Sequence, residues 1–310
     1  MREDFFYPSQ GKGQIHACRW LPEGEVKGIV QIVHGIAEYA LRYEPFALYL
    51  NSLGYGVVAE DHMGHGQSVG EDTVRGYFYG GWFAAVEDTV TLMKSTMEQY
   101  PNVPFVLFGH SMGSFMARTI LAKYPDIGIT ACVICGTAWQ SSALLAAGVP
   151  MSKLVCKFSD ETRPNSMLHN MAFGSYNNRI ENCETEHDWL SRDRQTVAAY
   201  EADPLCGFMA SAGLMRDMMT GISYIQKPSS LKNMNKALPV LFTAGDADPV
   251  GNYGKGVEKA AEEFRKVGME KVVVKLYPGC RHEILNETNR DEVFRDMGRW
   301  ILNQKEQTDA

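Results

Sequence analysis

The chain lacks any run of about 18 uninterrupted apolar residues, so no segment reads as a membrane-spanning helix. Its first stretch, Met1 to Gly13, carries charges and aromatics but not the apolar core of a secretion signal, which predicts a soluble, cytoplasmic protein. Positive charge is also scarce: 30 Lys and Arg stand against 37 Asp and Glu, for a net charge of -7, and the basic residues form no dense run. That scarcity argues against a phosphate-binding surface and against nucleic acid as a partner. The cysteines number 7, an odd count at scattered spacings, which fits reduced thiols rather than a disulfide framework. Cys132 and Cys135 form a C-x-x-C, but inside the apolar run Ala131 to Cys135 they read as inert thiols of a buried strand.

What is present is a chain of 310 residues, 45% of them hydrophobic, enough for one large α/β domain with an insertion or for two modest domains. Short β-rich runs alternate with stretches of helical period, the pattern of a mostly parallel sheet with helices on both faces. The predicted strands are Gln14 to Trp20, Gly28 to His34, Tyr55 to Ala59, Pro104 to Gly109, Thr130 to Cys135, Leu238 to Ala244 and Lys271 to Tyr277. Phe83, Val86, Val90, Met93, Met97 and Tyr100 form one helical stripe, ended by Pro101. Tyr43, Phe46, Ala47, Leu50 and Leu53 form a second, and Val293, Met297, Trp300 and Ile301 a third.

The rhythm breaks across 138–236, where no convincing strand occurs but Leu, Met and Phe are frequent. This segment is expected to be a helical insertion, with 1–137 and 237–310 forming the core domain. Met151, Leu154, Val155 and Phe158 have helical spacing, with Lys153 and Lys157 off that face; Glu181 to Arg194 is dense in charge and expected to be solvated.

The sharpest motif is Gly109-His110-Ser111-Met112-Gly113, which follows an apolar strand and opens a helical run through Lys123. A sharp strand-to-helix turn needs glycines around the serine because a Cβ would clash there, and it presents the hydroxyl above the sheet edge. The helix starting at the serine aims its free N–H groups at developing negative charge. A serine hydroxyl needs a base, and histidine, with an ordinary pKa near about 6.5, suits the task. In sheets carrying this motif the chain order is serine, acid, histidine. Beyond Ser111, and outside the insertion with its His169 and His187, that leaves His282, in the loop after the last predicted strand. His169 and His187 are expected at the surface. For the acid, Asp246 and Asp248 compete in the loop after Leu238 to Ala244; Asp248 is preferred because it has room to reach His282, whereas Asp246 sits closer to the strand end and suits bracing the turn.

Acyl transfer also requires two donors for an oxyanion. The backbone N–H of Met112 is one; the loop His34-Gly35-Ile36-Ala37-Glu38 offers the other, with Ile36 the expected donor. His34 and His110 are expected to pack rather than to exchange protons.

Together His34-Gly35-Ile36-Ala37-Glu38, Asp61-His62-Met63-Gly64-His65-Gly66-Gln67-Ser68, Gly109 to Gly113, Asp248-Pro249-Val250 and His282 resemble the monoacylglycerol lipase and lysophospholipase family of α/β-hydrolases, serine aminopeptidase-like by domain. Tyr200-Glu201-Ala202-Asp203-Pro204-Leu205 resembles a family segment near the end of the insertion. The resemblance implies an α/β-hydrolase fold, with a mostly parallel eight-stranded sheet, helices on both faces and an inserted helical cap. It further implies hydrolysis of single-chain lipid esters without metal or organic cofactor, the triad Ser111, Asp248 and His282, and oxyanion donors Ile36 and Met112. The chain departs from the family pattern at Ser114 and the bulky Phe115, and at Ile36, all of which are expected to narrow the pocket.

Leu144, Leu145, Met151, Leu154 and Met171 are the candidate substrate-binding residues of the cap, with Met167 and Phe173 alongside, because flexible apolar side chains suit acyl chains of variable length. Lys153 and Lys157 beside the apolar stripe raise a transient membrane-surface contact through the cap. The same triad serves short-chain esterases and aminopeptidases. An aminopeptidase needs an acidic cluster to hold the substrate ammonium, for which Glu181, Glu184, Glu186 and Asp188 are the candidates. A non-enzymatic binding protein would predict a broken triad, and every member is present.

Overall fold

The computed structural model describes residues 1–306. In chain order the elements are β1 (Arg2–Pro8), β2 (Gln14–Trp20), β3 (Gly28–Val33), α1 (Glu44–Ser52), β4 (Tyr55–Glu60), α2 (Gly81–Gln99), β5 (Phe105–His110), α3 (Met112–Lys123) and β6 (Ala131–Cys135). Then follow α4 (Ser142–Phe158), α5 (Ser166–Phe173), α6 (Arg194–Ala202), α7 (Ala212–Ile225), α8 (Pro228–Asn233), β7 (Val240–Gly245), α9 (Lys255–Lys266), β8 (Val272–Tyr277) and α10 (Arg290–Glu306). The strands form an 8-stranded sheet in the order β1-β2-β4-β3-β5-β6-β7-β8. From β4 to β8 every neighbouring pair is parallel, while β2 runs antiparallel to β4 and β1 antiparallel to β2.

The central strands β3, β5 and β6 are buried along their whole length, which is why they read as unbroken apolar runs. Because side chains alternate between faces, Ile29 and Val33 point into one core layer and Val30 and Ile32 into the other. The first layer is closed by α2, α3, α7 and α9, the second by α1 and α10. In α1 the stripe Phe46, Ala47 and Leu50 is buried as its spacing requires. On α2 the register differs slightly from expectation: Trp82 is buried, whereas Phe83 is turned outward onto the Tyr224 ring.

One strand was not legible in the sequence. β1 opens with Arg2, Glu3 and Asp4 and is largely exposed, and it is held by pairing with β2 from Arg2↔Trp20 to Pro8↔Gln14. Cys132 and Cys135 lie buried as free thiols, and burial pushes both well up, as an inert pair requires.

Between β6 and β7 the described residues form helices and no strand. Ser141, Asn165, Asp193 and Ser211 each accept a backbone N–H at the start of α4, α5, α6 and α7, satisfying donors that the helix cannot. The segment is not one free layer. Leu214, Ile222 and Ile225 of α7 and Leu231 of α8 are buried in the main core, and a Cβ on Gly221 would lie 2.1 Å from the Trp82 ring, so α7 approaches α2 as closely as a glycine allows. By contrast α4 leaves Leu144, Leu154 and Phe158 exposed. No helix among the described residues is long and apolar enough to cross a membrane.

Candidate active site

Ser111 occupies the single-residue turn between β5 and α3, with φ 53 and ψ -121. A positive φ in a residue other than glycine is strained, and here the surroundings enforce it. The Ser111 N–H donates to the Cys135 carbonyl at 3.0 Å, and its own carbonyl accepts from the Ser114 N–H and hydroxyl. The flanking glycines are required by close backbone approach: a Cβ at Gly113 would meet the Val33 carbonyl oxygen at 2.0 Å, and one at Gly109 would meet that of Gly113 at 2.4 Å. The outcome is a hydroxyl lifted clear of the sheet on a rigid support.

His282 follows β8, and its Nδ1 lies 3.0 Å from Oδ2 of Asp248, in the loop after β7. Both side chains are buried. The other oxygen of Asp248 accepts the Val250 N–H at 2.9 Å. Asp246, the competing carboxylate, is exposed and takes the Gly279 N–H at 2.6 Å, bracing the two loops against each other. The His282 ring sits between the rings of His110 and Trp189, at 4.8 Å and 5.0 Å. Flanked in this way, the imidazole has little freedom to turn away from its carboxylate.

Ile36 follows β3, and among the described residues neither its N–H nor that of Met112 has an internal acceptor. Ser111, His282 and Ile36 all face one cavity of about 370 Å³. A site with a hydroxyl, an imidazole fixed by a carboxylate, and unpaired amides is equipped for nucleophilic attack on a carbonyl and for stabilising the oxyanion that results.

Beneath this surface lies a buried ionic network. Glu38 accepts from the Gly35 N–H at 2.6 Å, the Tyr43 hydroxyl at 2.9 Å and Arg42 Nη1 at 2.7 Å, and it lies 3.2 Å from Nδ1 of His110. Arg42 also grips both oxygens of Glu283, the residue after His282. Burial alone would raise the Glu38 carboxyl, but His110 and Arg42 hold it well below the usual carboxylate range. Burial likewise opposes charge on His110, yet Glu38 outweighs it and the imidazole is raised. His34, in contrast, is pushed well down by burial and the neighbouring His62 and His65; it packs against the His62 ring and accepts the His62 N–H, a structural role. The sequence offered one hint of the network, the four-residue spacing of Glu38 and Arg42.

The insertion furnishes the far wall. His169 and His187, expected at the surface, are half-buried and line the cavity, as do Asn170, Asn177, Glu186 and Trp189. Nor is Glu181 to Arg194 solvated throughout: Trp189, Leu190 and Ser191 are buried, because the carbonyls of Trp189 and Leu190 accept from the N–H groups of His282 and Glu283. Of the acidic candidates for an ammonium site only Glu186 faces the cavity; Glu184 pairs with Arg194, and Asp188 accepts from the Thr185 hydroxyl and nearby amides.

The expected substrate contacts fare differently from the reacting groups. Leu144, Leu154 and Met171 are exposed on α4 and α5, while Leu145 and Met151 pack against the main core, and none of the five lines the cavity. Helical spacing located an apolar stripe but not the side it faces. The apolar lining comes instead from Ile36, Phe173, Leu190, Phe208 and Met209. Phe115, expected to narrow the pocket, is buried in the core and does not reach it. Of the cavity residues, Tyr200 is within reach of the sequence through the segment Tyr200 to Leu205, whereas Phe208 lies three residues beyond it and carries no such signal.

The chain has known relatives over nearly its whole length. The family profile described as "Serine aminopeptidase, S33" matches residues 24–289. The monoacylglycerol lipase of Mycolicibacterium smegmatis is 30% identical over 306 residues, covering 97% of this chain and 97% of that protein. The human monoglyceride lipase is 30% identical over 294 residues, covering 93% of this chain and 87% of its own. Among solved structures, a thermostable carboxyl esterase from Bacillus coagulans in complex with glycerol is 31% identical with a TM-score of 0.91, covering 97% of this chain and 98% of that one.

Proposed function

The chain belongs to the serine aminopeptidase S33 family of α/β-hydrolases, and from that membership we propose that it cleaves single-chain lipid esters, of monoacylglycerol or lysophospholipid type, through an acyl-enzyme on Ser111. It is a carboxylic ester hydrolase of the lipase and esterase kind. One observation carries the finer reading: Ser111, on its strained turn, and His282, fixed at 3.0 Å from Asp248, open into the same cavity.

In this reading Ser111 attacks the ester carbonyl while His282 takes its proton. Asp248 holds the imidazole in the tautomer that can accept at the other nitrogen and stabilises the charge that develops. The N–H groups of Ile36 and Met112 receive the oxyanion, collapse expels the alcohol protonated by His282, and water repeats the sequence to release the acid. The lining fits a two-part substrate. Phe173, Phe208 and Met209 suit an acyl chain, and Asn170, Asn177 and Glu186 suit a polar leaving alcohol. The exposed Leu154 and Phe158 of α4, beside Lys153 and Lys157 in the sequence, are the stripe through which the cap touches a lipid surface. Short-chain esters and aminoacyl amides are the competing substrates.

The test is a panel of p-nitrophenyl esters of rising acyl length alongside aminoacyl amides, run on wild type and Ser111→Ala. Turnover is expected to rise from short to medium chains, to be negligible on amides, and to fall by about 10⁴ or more in the variant. Preference for amides, or activity that survives Ser111→Ala, defeats the reading.

A further inference from the structure

The loop that carries the Ile36 amide contains a second strained residue. Ala37 has φ 55, a left-handed conformation that an alanine adopts at a cost, and it persists only where its surroundings over-determine it. Those surroundings come from the insertion. The Ala37 carbonyl accepts the Tyr200 hydroxyl at 2.9 Å and the Gly207 N–H at 3.0 Å.

The loop has little slack elsewhere. Gly35 is tied to the Glu38 carboxylate at 2.6 Å, and that carboxylate is held by Arg42 and Tyr43, so a change in the Ala37 torsions falls in part on the Ile36 peptides. Tyr200 is itself anchored: it is buried, and the Arg42 guanidinium lies over its ring at 4.8 Å. Burial pushes its phenol well up, so it remains a donor across the working pH range.

We infer that Tyr200 is a positioning residue, whose hydroxyl holds Ala37 in the left-handed conformation and thereby aims the Ile36 N–H at the oxyanion. The inference rests on the acyl-enzyme reading and on Ile36 as a donor within it. The hydroxyl acts through the backbone and takes no proton. Since the oxyanion exists only after attack, a misaimed amide lowers kcat and leaves KM nearly unchanged.

A double-mutant cycle tests this. Tyr200→Phe keeps the ring and its packing, and is expected to lower kcat on a p-nitrophenyl ester by roughly tenfold. Glycine adopts the left-handed region without a Cβ penalty, so in an Ala37→Gly background the same substitution is expected to cost no more than about threefold. Thermal melts of all four proteins separate this from a loss of folded enzyme. The inference is overturned if Tyr200→Phe leaves kcat unchanged, if the loss is equal in both backgrounds, or if only KM moves. Ser111→Ala is measured in parallel. Turnover that survives it overturns the acyl-enzyme reading and this inference together, whereas an inactive Ser111→Ala beside an indifferent Tyr200→Phe overturns this inference alone.

Discussion

The Arg42 guanidinium holds both carboxylate oxygens of Glu283 at 2.7 Å, and a third contact from the same side chain reaches Glu38. One cation thereby joins the loop that bears Ile36 to the loop that bears His282. Arg42 and both carboxylates are largely withdrawn from solvent. Removing one partner of a buried ion pair strands the others, at a cost of about 3 to 5 kcal/mol. Arg42→Met is therefore expected to lower stability by that amount in urea unfolding and to reduce kcat. Arg42→Lys retains charge without the planar fork and should fall between the two. A stability equal to wild type in Arg42→Met would show that the carboxylates find other partners.

The two carboxylates near the end of β7 make a sharper contrast. Asp248 is buried at 3.0 Å from His282, while Asp246 is exposed and engaged with the Gly279 amide. Asp248→Asn should lower kcat by about 10³ to 10⁴, as expected when the imidazole is left in the wrong tautomer, and Asp246→Asn by less than about tenfold. Steady-state kinetics on one ester settle the ranking, and the reverse order would move the acid to Asp246.

Stability should respond to pH through His110. Glu38, with Glu283 nearby, holds its pKa above the ordinary 6.5 despite burial, and His110 and Arg42 hold Glu38 below its ordinary 4.5. A raised histidine contributes stability that is fully present below the unfolded value and is lost as pH climbs through the folded one; a depressed carboxylate contributes above its unfolded value and loses it only in strong acid. The pair is therefore strongest between those two ordinary values. Wild type should lose more melting temperature than His110→Gln as pH is raised from about 6 to 9. Parallel curves would mean that His110 is neutral throughout.

Gly113 tests the turn itself. A methyl group there would sit 2.0 Å from the Val33 carbonyl oxygen, a backbone atom that cannot retreat without breaking β3, whereas Gly70 has only the Thr73 hydroxyl at 3.9 Å. Gly113→Ala should cost roughly 4 kcal/mol or more and Gly70→Ala close to nothing. Melting by circular dichroism measures both. A Gly113→Ala protein with wild-type stability would mean that the turn has an alternative geometry.

The legible parts of this chain are those in which one residue type has one physical use. Strands β3 to β7 are legible because burial on both faces demands unbroken apolar runs, and the serine turn because close approach to Val33 admits only glycine. β1 is not legible because an edge strand is stabilised by its ladder to β2, which Arg2, Glu3 and Asp4 do not disclose. The cavity wall is not legible for a related reason. Leu154 and Phe173 look alike in a helical pattern, and only the packing of α4 and α5 sends one to solvent and the other inward. His187 lines the cavity and pairs with Glu201 at 2.8 Å, a partner fourteen residues on that no local rule supplies.

The attachments of the insertion have a last consequence, for redesign. The stretch from Trp189 to Gly207 carries the carbonyls that meet the His282 and Glu283 amides and the groups that meet Ala37, whereas α4 supplies no cavity residue. A graft of foreign specificity elements should therefore replace α5 and the loop after it, which supply His169, Asn170, Phe173 and Asn177, and leave Trp189 to Gly207 in place, since transplanting the entire segment would import a new selectivity filter while dismantling the scaffold it needs.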